Sequence, residues 1–367
     1  MINPASHIKK IFVEREVIDL PYTREILQRA ATIPVEIING HQLPDLAANQ
    51  YPKNLTKGKQ NLLLCRNLGH FFKPCPGTKE YRCCDYQIIN TGMNCPMDCV
   101  YCILQAYLNQ PWLSVFVNVD DLLHELGAAL AAEPKRFWRI GTGEFTDSMA
   151  LDQLTGLSQI LVPFIGRQPR AVLELKTKSA AVANLQGMAH QNRTITAWSL
   201  NSPQIMREEE WRTATLAERL EAAAQCAAWG YRLAFHFDPI IDHPGWKEGY
   251  ASTIDQLFRR VPRDKIAWIS LGGLRFLPPL KQIASQRFPK SRIFSEEFIP
   301  GLDGKHRYFR SRRVELYHHL YNLLKPVANP KTCIYLCMES DEIWREAFGF
   351  APAEQGGLAA MLERAVV

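Results

Sequence analysis

Three closely spaced cysteines carry the strongest chemical signal in this sequence. Cys95, Cys99 and Cys102 stand in the stretch NCPMDCVYC with C-x3-C-x2-C spacing. A structural zinc site uses four ligands, usually as two close pairs, and no fourth cysteine is spaced to match. A [4Fe–4S] cluster also usually takes four thiolates, so three would leave one iron open to a ligand that is not protein. An open coordination position is typical of catalytic metal sites, and the spacing therefore favours a reactive cluster.

The motif has further features that suggest a family. An aromatic residue, Tyr101, precedes the last cysteine, and the loop follows the first strand-like segment of a βα pattern. In these respects it resembles the radical S-adenosylmethionine (SAM) superfamily. The resemblance implies a [4Fe–4S] cluster on Cys95, Cys99 and Cys102, SAM on the open iron, and a 5′-deoxyadenosyl radical released by one-electron reduction. It also implies an electron donor such as flavodoxin or ferredoxin.

Later strand ends carry residues that match the cofactor contacts of the superfamily. The turn GTGE resembles its glycine-rich turn, where close backbone approach and a carboxylate hold the methionine amine. Lys178 in LKTKS and the polar pair in WSLN stand where the superfamily contacts the carboxylate and ribose of the cofactor. Taken without the resemblance, these residues read equally well as a turn, a solvated lysine and a strand cap. The cofactor-binding residues implied by the resemblance are Gly141, Thr142, Gly143, Glu144, Lys178, Ser199 and Asn201.

From about residue 60 to the C-terminus the chain resembles one branch of the superfamily, the spore photoproduct lyase family. The matching stretches are NCPMDCVYCILQAYLNQP, TDSMALD, HPGWKEGY and CPGTKEYRCC. This resemblance implies a lyase that uses the adenosyl radical to abstract hydrogen and repair a thymine dimer in DNA. It places Tyr101 near both the cluster and the cofactor.

The sequence also departs from that family. Well-studied members return a hydrogen atom from a cysteine in the loop after the second strand, but here that loop is IGTGEFTDS and has no thiol. They also have a tyrosine after the last cluster cysteine, where this chain has Ile103. Cys333 or Cys337, in CIYLCME, could replace the missing thiol, although two cysteines in an apolar segment are also typical core residues. No role is assigned to Cys65, Cys75, Cys83 or Cys84.

A basic stretch near the C-terminus, KHRYFRSRR, suggests contact with DNA. Guanidinium groups suit phosphate contacts, and interleaved aromatic rings can stack on bases or enter a base step. An enzyme that repairs a stacked base must also flip it out of the duplex. The alternative is a solvated basic face balanced by nearby acids. The predicted contacts to damaged DNA are Lys305, Arg307, Tyr308, Arg310, Arg312 and Arg313.

The composition limits the class of protein that can hold these candidate site residues. The 367 residues are 47% hydrophobic and 22% charged, as in a globular protein with a large core. No uncharged apolar run reaches about 18 residues, so no membrane span is expected. The N-terminus has no secretory pattern, and a cysteine cluster in a reducing compartment favours metal or redox chemistry over disulfides. We therefore expect a cytoplasmic protein.

Strand-like and helix-like segments alternate from about residue 86 to residue 275. This alternation predicts parallel βα units, and sites in such folds collect where the strands end. The expected fold class is α/β, a partial (β/α)6-type radical SAM barrel. We divide the chain into an N-terminal α/β subdomain (1–85), the barrel (86–275), and a C-terminal extension (276–367) with a hairpin around GLDGK and a following helix.

Two other functions remain open from the sequence. The missing loop thiol favours a radical enzyme that acts on an RNA base or a small metabolite. A protein that is not an enzyme, namely a nucleic-acid-binding module with a structural metal, would also explain the cysteines and the basic stretch.

Overall fold

The computed structural model describes residues 4–40, 50–77 and 81–366. The strands in these residues, numbered along the chain, are β1 (Lys10–Glu14), β2 (Val35–Ile38), β3 (Asn61–Cys65), β4 (Phe72–Pro74), β5 (Tyr86–Ile89), β6 (Gly92–Met93), β7 (Asp98–Cys99), β8 (Leu113–Phe116), β9 (Trp138–Gly141), β10 (Ala171–Thr177), β11 (Thr194–Ser199), β12 (Glu210–Trp211), β13 (Arg232–Ile240), β14 (Ile266–Gly273), β15 (Arg275–Phe276), β16 (Phe298–Pro300), β17 (His306–Tyr308) and β18 (Cys333–Leu336).

The α-helices are α1 (Pro21–Arg29), α2 (Leu55–Gly58), α3 (Leu104–Tyr107), α4 (Val119–Ala132), α5 (Asp152–Thr155), α6 (Leu157–Gly166), α7 (Pro203–Glu209), α8 (Leu216–Ala228), α9 (Trp246–Arg260), α10 (Pro278–Arg287), α11 (Arg310–Leu324), α12 (Asp341–Phe348) and α13 (Leu358–Arg364). None of the helices in the residues that the structure describes is long and apolar enough to span a bilayer.

An eight-stranded sheet forms the centre of the molecule. Its order is β18-β14-β13-β11-β10-β9-β5-β4, and the strands are parallel except for β4 at one edge. β14 is buried along its whole length, as expected for parallel strands covered on both faces. The sheet curls into the half barrel that the alternating βα pattern predicts, so the expected fold class is confirmed.

A second sheet packs beside the barrel. Its order is β2-β1-β3-β8-β6, with the first four strands parallel and β6 antiparallel to β8. β6 and β8 come from residues after position 86, and β18 of the barrel comes from the predicted C-terminal extension. The division at residues 85 and 275 stays a prediction, and strand pairing crosses both of those boundaries.

The predicted hairpin is present near the C-terminus. β16 pairs with β17, and β15 adds a third antiparallel strand on the other side of β17. α11 begins at Arg310, immediately after the hairpin. The hairpin and helix therefore confirm that part of the sequence-based interpretation.

Local sequence explains where the barrel helices begin and what they cover. Thr215 and Glu218 form a capping box at the start of α8, which satisfies backbone N–H groups that the first turn leaves without partners. α4 buries Leu122, Leu126 and Leu130, spaced four residues apart on one face. These helices cover the outer surface of the barrel. The polar residues at the carboxyl ends of the strands lie at one rim.

Candidate active site

A cavity of about 340 Å³ opens at the carboxyl ends of the barrel strands. This is where ligand sites occur in parallel α/β sheets. Its wall includes the three predicted cluster cysteines, Cys95, Cys99 and Cys102. The cysteine loop and the strand ends thus meet in one place, as the sequence predicts.

Backbone geometry at Asn94 sets the direction of the cysteine loop. Asn94 has φ 71°, in the left-handed region that asparagine tolerates better than most residues. Its side-chain amide donates to the carbonyls of Pro111 and Trp112 at 3.3 and 3.2 Å, and its side-chain oxygen accepts from the N–H of Cys95 at 2.9 Å. Asn94 therefore fixes the first cysteine against the strand β8 region, a role that the sequence analysis missed.

The outer side of the loop is held by buried charges. Asp98 accepts hydrogen bonds from Lys59 at 3.2 Å and from Arg287 at 2.8 Å, and Lys59 also donates to the Met97 carbonyl at 2.5 Å. Burial alone would raise the pKa of Asp98, but Lys59 and Arg287 outweigh it and lower the pKa to about 2. The carboxylate is therefore ionised at neutral pH and ties the loop to two other elements.

The three thiols fit a [4Fe–4S] cluster better than a single metal ion. In the part of the chain that the structure describes, no group of three or more His, Cys, Asp or Glu side chains could hold one metal ion. Zinc needs its ligands around one point at about 2.0–2.3 Å. A cubane instead presents a different iron to each thiolate, so its ligands surround the cluster. The donor set thus favours the cluster over the structural metal considered above.

Cluster binding must release protons from these cysteines. Burial raises the pKa of Cys95 well above its ordinary value and raises that of Cys99 to about 12. Thiolates are the form that binds iron, so loading the site displaces these protons.

The turn after β9 brings Gly143 and Glu144 to the cavity wall. A Cβ on Gly141 would overlap the Tyr86 hydroxyl and approach the Glu174 carbonyl to 2.9 Å, so only glycine fits there. Thr142 is buried and its hydroxyl donates to Ser148 at 2.8 Å. Burial raises the pKa of Glu144, against the opposite effect of Lys176, Lys305 and Arg275. Gly141 and Thr142 therefore shape the turn, while Gly143 and Glu144 face the cavity.

The end of β10 supplies two lysines to the same wall, Lys176 and Lys178. The ammonium of Lys178 lies 5.4 Å from the centre of the Tyr101 ring. Burial alone would lower the pKa of Lys178, but Glu210, Cys99 and Asp147 together outweigh it and raise the pKa above its ordinary value. Asp147 accepts from the Lys178 backbone N–H at 2.8 Å and orients this strand end. Lys176 and Asp147 were not among the predicted residues.

Tyr101, Ser199 and Asn201 are placed differently from one another. Tyr101 is on the wall and its hydroxyl donates to Glu210, which also pairs with the buried Arg219 at 2.6 Å. Ser199 lines the cavity at the end of β11. Asn201 is buried behind that end, where its side chain accepts from Tyr250 at 2.5 Å and donates to the Pro239 carbonyl at 2.9 Å. The structure thus brings Tyr101 and Ser199 to the cavity and uses Asn201 to hold the adjoining loop.

The two C-terminal cysteines are also separated by the structure. Cys337 lines the cavity, and Arg275 donates to its sulfur at 3.5 Å. Arg275 forms a two-pronged ion pair with Asp238, with both oxygens at 3.0 Å. Cys333 is buried in β18 and is not among the residues that line the cavity. Of the two, Cys337 is therefore the one that lines the cavity together with the predicted cluster ligands.

A buried polar network lines the floor of the cavity. His236 bonds to Glu174, and Arg139 donates to the sulfur of Cys84 at 3.4 Å. A hydrogen bond from Cys83, followed by the charge of Arg139, lowers the pKa of Cys84 to about 5. The sequence does carry a signal for this network, because a Glu and a His in the apolar runs AVLELKT and RLAFHFDPII are stable inside a sheet only when paired.

The basic stretch after the hairpin is mostly inside the fold. Arg307 is 2% exposed and pairs with Asp303 at 2.5 Å, Tyr308 is 1% exposed, and Arg313 pairs with Glu339 at 3.0 Å. Arg307, Tyr308 and Arg313 are therefore buried in this structure and do not form one exposed surface with the other three predicted residues.

The other three predicted residues differ in exposure: the Arg310 side chain is exposed, that of Arg312 is partly exposed, and that of Lys305 is 11% exposed. Arg312 pairs with Asp242 at 2.5 Å, and Arg310 pairs with Glu346 on the surface. Lys305 lines the cavity. Contact of Lys305, Arg310 and Arg312 with DNA stays a prediction.

Comparison with known proteins agrees with this architecture. The sequence model of the family described as spore photoproduct lyase matches residues 7–308. Spore photoproduct lyase of Geobacillus sp. (strain Y412MC61) is 25% identical over 295 residues, which cover 79% of this chain and 85% of the relative. That of Bacillus subtilis (strain 168) is 24% identical over 293 residues, covering 78% and 84%.

Solved structures share the fold. A spore photoproduct lyase complexed with dinucleoside spore photoproduct superposes with a TM-score of 0.79 at 23% identity, covering 90% of this chain and 98% of the other. A mutant form with bound AdoMet and the same dinucleoside gives 0.80 at 23% identity, covering 91% and 99%. Because the family model spans most of the sequence, the chain belongs to the spore photoproduct lyase family.

Proposed function

We propose that this chain is a radical SAM lyase that repairs the spore photoproduct, a thymine dimer, in DNA. One observation carries the proposal. In a member of this family, the three cysteines of the C-x3-C-x2-C loop share a cavity with Glu144, Lys178 and Ser199, which come from three different strand ends.

Different residues of the cavity would bind the cluster and SAM. Cys95, Cys99 and Cys102 would hold the [4Fe–4S] cluster, and Glu144 offers a carboxylate for the SAM amine. When bound and reduced, the cluster and SAM supply a 5′-deoxyadenosyl radical that abstracts a hydrogen atom. The chain contributes fixed positions, because Asn94, Asp98 and Asp147 lock the loop and a strand end by hydrogen bonds.

Cys337 is our proposed source of the hydrogen atom that quenches the product radical. Burial raises the pKa of Cys337, so the thiol keeps its hydrogen at neutral pH. In the transfer, the S–H bond breaks homolytically, a C–H bond forms on the product radical, and the unpaired electron remains on sulfur. Cys337 lines the cavity and Cys333 does not, which supports Cys337 over Cys333.

Damaged DNA and a one-electron donor are the proposed partners. Lys305 at the cavity, the exposed Arg310 and the partly exposed Arg312 would contact DNA phosphates. The reacting centre lies inside a concave wall that a stacked duplex cannot enter, so the lesion would be flipped out of the stack to reach it. All ten cysteines are free, which supports a reducing, cytoplasmic environment.

Product analysis tests the activity. The chain is reconstituted anaerobically with iron and sulfide, reduced, and incubated with SAM and an oligonucleotide that contains the spore photoproduct. We expect thymine to be restored by the wild-type chain and not by Cys99→Ala, which should also lose iron. Cys226→Ala, a buried cysteine of α8, is the matched control and should keep its iron.

The same experiment separates the alternatives. SAM cleavage without thymine restoration would point to an RNA base or a small metabolite as the substrate. A colourless chain that binds zinc instead of iron would point to a structural metal and refute the radical chemistry. For the hydrogen donor, Cys337→Ser should divert the product radical to side products, whereas Cys333→Ser should not.

A further inference from the structure

An exposed tryptophan lies directly outside the cysteine loop. Trp211 is 55% exposed and belongs to β12, which pairs antiparallel with β7 inside the cysteine loop. In that register Trp211 lies opposite Asp98, and Glu210 lies opposite Cys99. Paired residues of an antiparallel ladder have Cα atoms about 5 Å apart. A short path of covalent and hydrogen bonds therefore leads from this indole to a cluster ligand.

Cationic side chains stand on the segments that contact the outer side of the cysteine loop next to this tryptophan. His7 is close enough to Arg212, Lys9 and Asp98 for their charges to act on its pKa, which burial first lowers. This proximity places Lys9 and Arg212 beside the outer face of the loop. Lys57 is exposed next to Thr56, whose hydroxyl donates to Asp98 at 2.9 Å.

The segments that precede and contact β12 carry further cations. Arg207 is exposed at the end of α7, which leads directly into β12. Lys290 and Arg292 are exposed on either side of Ser291, whose hydroxyl donates to Glu209 at 2.7 Å. We name this set the outer face; its members are Lys9, Lys57, Arg207, Trp211, Arg212, Lys290 and Arg292.

The outer face has an excess of positive charge. Within its segments the acids are Glu208, which pairs with Arg207 at 2.9 Å, Glu209, which is bound by Ser291, and Glu210, which is buried against Arg219. Lys9, Lys57, Lys290 and Arg292 have no acid partner among the ion pairs of the described residues. Such a field attracts an anionic partner and raises its association rate.

None of the outer-face residues lines the cavity. A substrate must reach the inner side of the cysteine loop, where Cys95, Cys99 and Cys102 face the strand ends. The outer face is thus accessible while substrate occupies the cavity. A partner at this position can exchange an electron with the cluster but cannot present a base to it.

We infer that the outer face is the docking surface for an acidic one-electron carrier protein of the flavodoxin or ferredoxin class, with Trp211 at its centre. The inference rests on the proposed function, because it needs a cluster on Cys95, Cys99 and Cys102. Electron-transfer complexes of this kind are small, weak and steered by charge, which an exposed aromatic ring within a ring of cations suits. The contact should weaken as salt screens the charges.

The test measures reduction of the cluster rather than repair. The wild-type chain, loaded with its cluster, is mixed anaerobically in a stopped-flow instrument with a bacterial flavodoxin in its hydroquinone form, and bleaching of the cluster absorption is followed. The variant Arg207→Glu/Lys290→Glu should be reduced at least tenfold more slowly at subsaturating flavodoxin. Trp211→Ser should also slow the reaction, and added salt should slow the wild type.

Two controls make the result specific. Dithionite, a small reductant that does not need a docking surface, should reduce every variant at the wild-type rate. The charge-matched variant Arg260→Glu/Lys331→Glu, at exposed positions outside the outer face, should behave as the wild type with flavodoxin.

The possible failures are distinguishable. A wild-type chain that binds no iron would overturn both the proposed function and this inference. A chain whose cluster is reduced by dithionite, but whose outer-face variants react with flavodoxin at the wild-type rate, would overturn the docking surface alone. Loss of binding to a labelled DNA duplex by Arg207→Glu/Lys290→Glu, with unchanged flavodoxin kinetics, would assign the surface to DNA and also overturn it.

Discussion

The ion pair between Asp238 and Arg275 is the contact whose loss we expect to be most informative. Both residues line the cavity, and their side chains are only 14% and 16% exposed. Gly272 packs against the pair so closely that a Cβ there would lie 2.6 Å from an Asp238 oxygen. Asp238→Asn would leave the Arg275 charge in the wall without its partner, next to Cys337.

The expected loss of stability in Asp238→Asn can be worked out from the lowered pKa of Asp238. Burial alone would raise the pKa, but Arg275 and Lys176 together outweigh it and lower the pKa from 3.8 to about 2. Because one pKa unit is equivalent to about 1.4 kcal/mol, the ionised carboxylate contributes roughly 2–3 kcal/mol to the free energy of unfolding at neutral pH. Measured losses for one partner of a buried pair reach about 3–5 kcal/mol, so we expect Asp238→Asn to cost between about 2 and 5 kcal/mol.

The contribution has a defined pH range. Since the folded pKa is below the unfolded one, the stabilisation is complete above about pH 4 and is lost as the pH falls towards 2. The difference between the wild type and Asp238→Asn should therefore be constant from pH 7 to pH 5. Below pH 4 the two proteins should become more alike.

Urea unfolding of the cofactor-free chain, under reducing conditions, measures this difference. Asp255→Asn is the matched control, since Asp255 pairs with Arg259 on the exposed face of α9 and should cost at most about 0.5 kcal/mol. The double variant Asp238→Asn/Arg275→Met should cost less than the sum of the single changes, because it leaves no unpaired charge. An Asp238→Asn variant within 0.5 kcal/mol of the wild type would refute the claim that this pair stabilises the wall.

Two further changes probe other contacts of the site. Gly141→Ala should destabilise the chain by about 1–3 kcal/mol in urea unfolding, because its Cβ would overlap the Tyr86 hydroxyl. The control Gly127→Ala in α4, where the nearest neighbour of an added Cβ is at 3.7 Å, should be neutral or stabilising, and equal effects of the two changes would contradict the steric explanation. Glu210→Gln should lower the free energy of unfolding by about 3–5 kcal/mol, because it leaves the fully buried Arg219 without its carboxylate. The control Glu208→Gln, at an exposed pair, should lower it by less than about 0.5 kcal/mol. A small decrease for Glu210→Gln would mean that other groups satisfy Arg219.

The barrel and its rim could be predicted from the sequence for a simple reason. Apolar runs such as IAWISLGG alternate with helical periods, and this pattern has few solutions other than parallel βα units. Once the strands are assigned, their ends must lie at one rim, which correctly brings the cysteine loop, Glu144, Lys178 and Ser199 together.

The ion pairs of the wall could not be predicted in the same way. Asp238 and Arg275 are far apart in sequence, as are Arg139 and Cys84, and their meeting depends on strand order and register. What the sequence did offer was a charged residue within each apolar run, which indicates a buried partner without identifying it.

The burial of half of the basic stretch could not be predicted for a related reason. Arg307 occupies the middle strand of a three-stranded sheet, with Asp303 in the preceding turn as its partner, and Arg313 lies on the inner side of α11. The partner of Arg313 is Glu339, which is distant in sequence. A run of arginines therefore says little about exposure until the acids that approach it in space are known.

The five-stranded sheet that contains the N-terminal strands helps to hold the cysteine loop in place. The turn that leads from α2 into its strand β3 supplies Lys59, which is 1% exposed and holds both Met97 and Asp98 in the cysteine loop. Its strand β6 leads directly to Asn94, and β8 begins after the carbonyls that Asn94 contacts. A nine-residue loop with three thiols and a buried charge is not stable alone, because each buried polar group needs a fixed partner. Lys59 and the segment that leads into β8 provide several of those partners, so this sheet and its connections help to build the predicted cluster site.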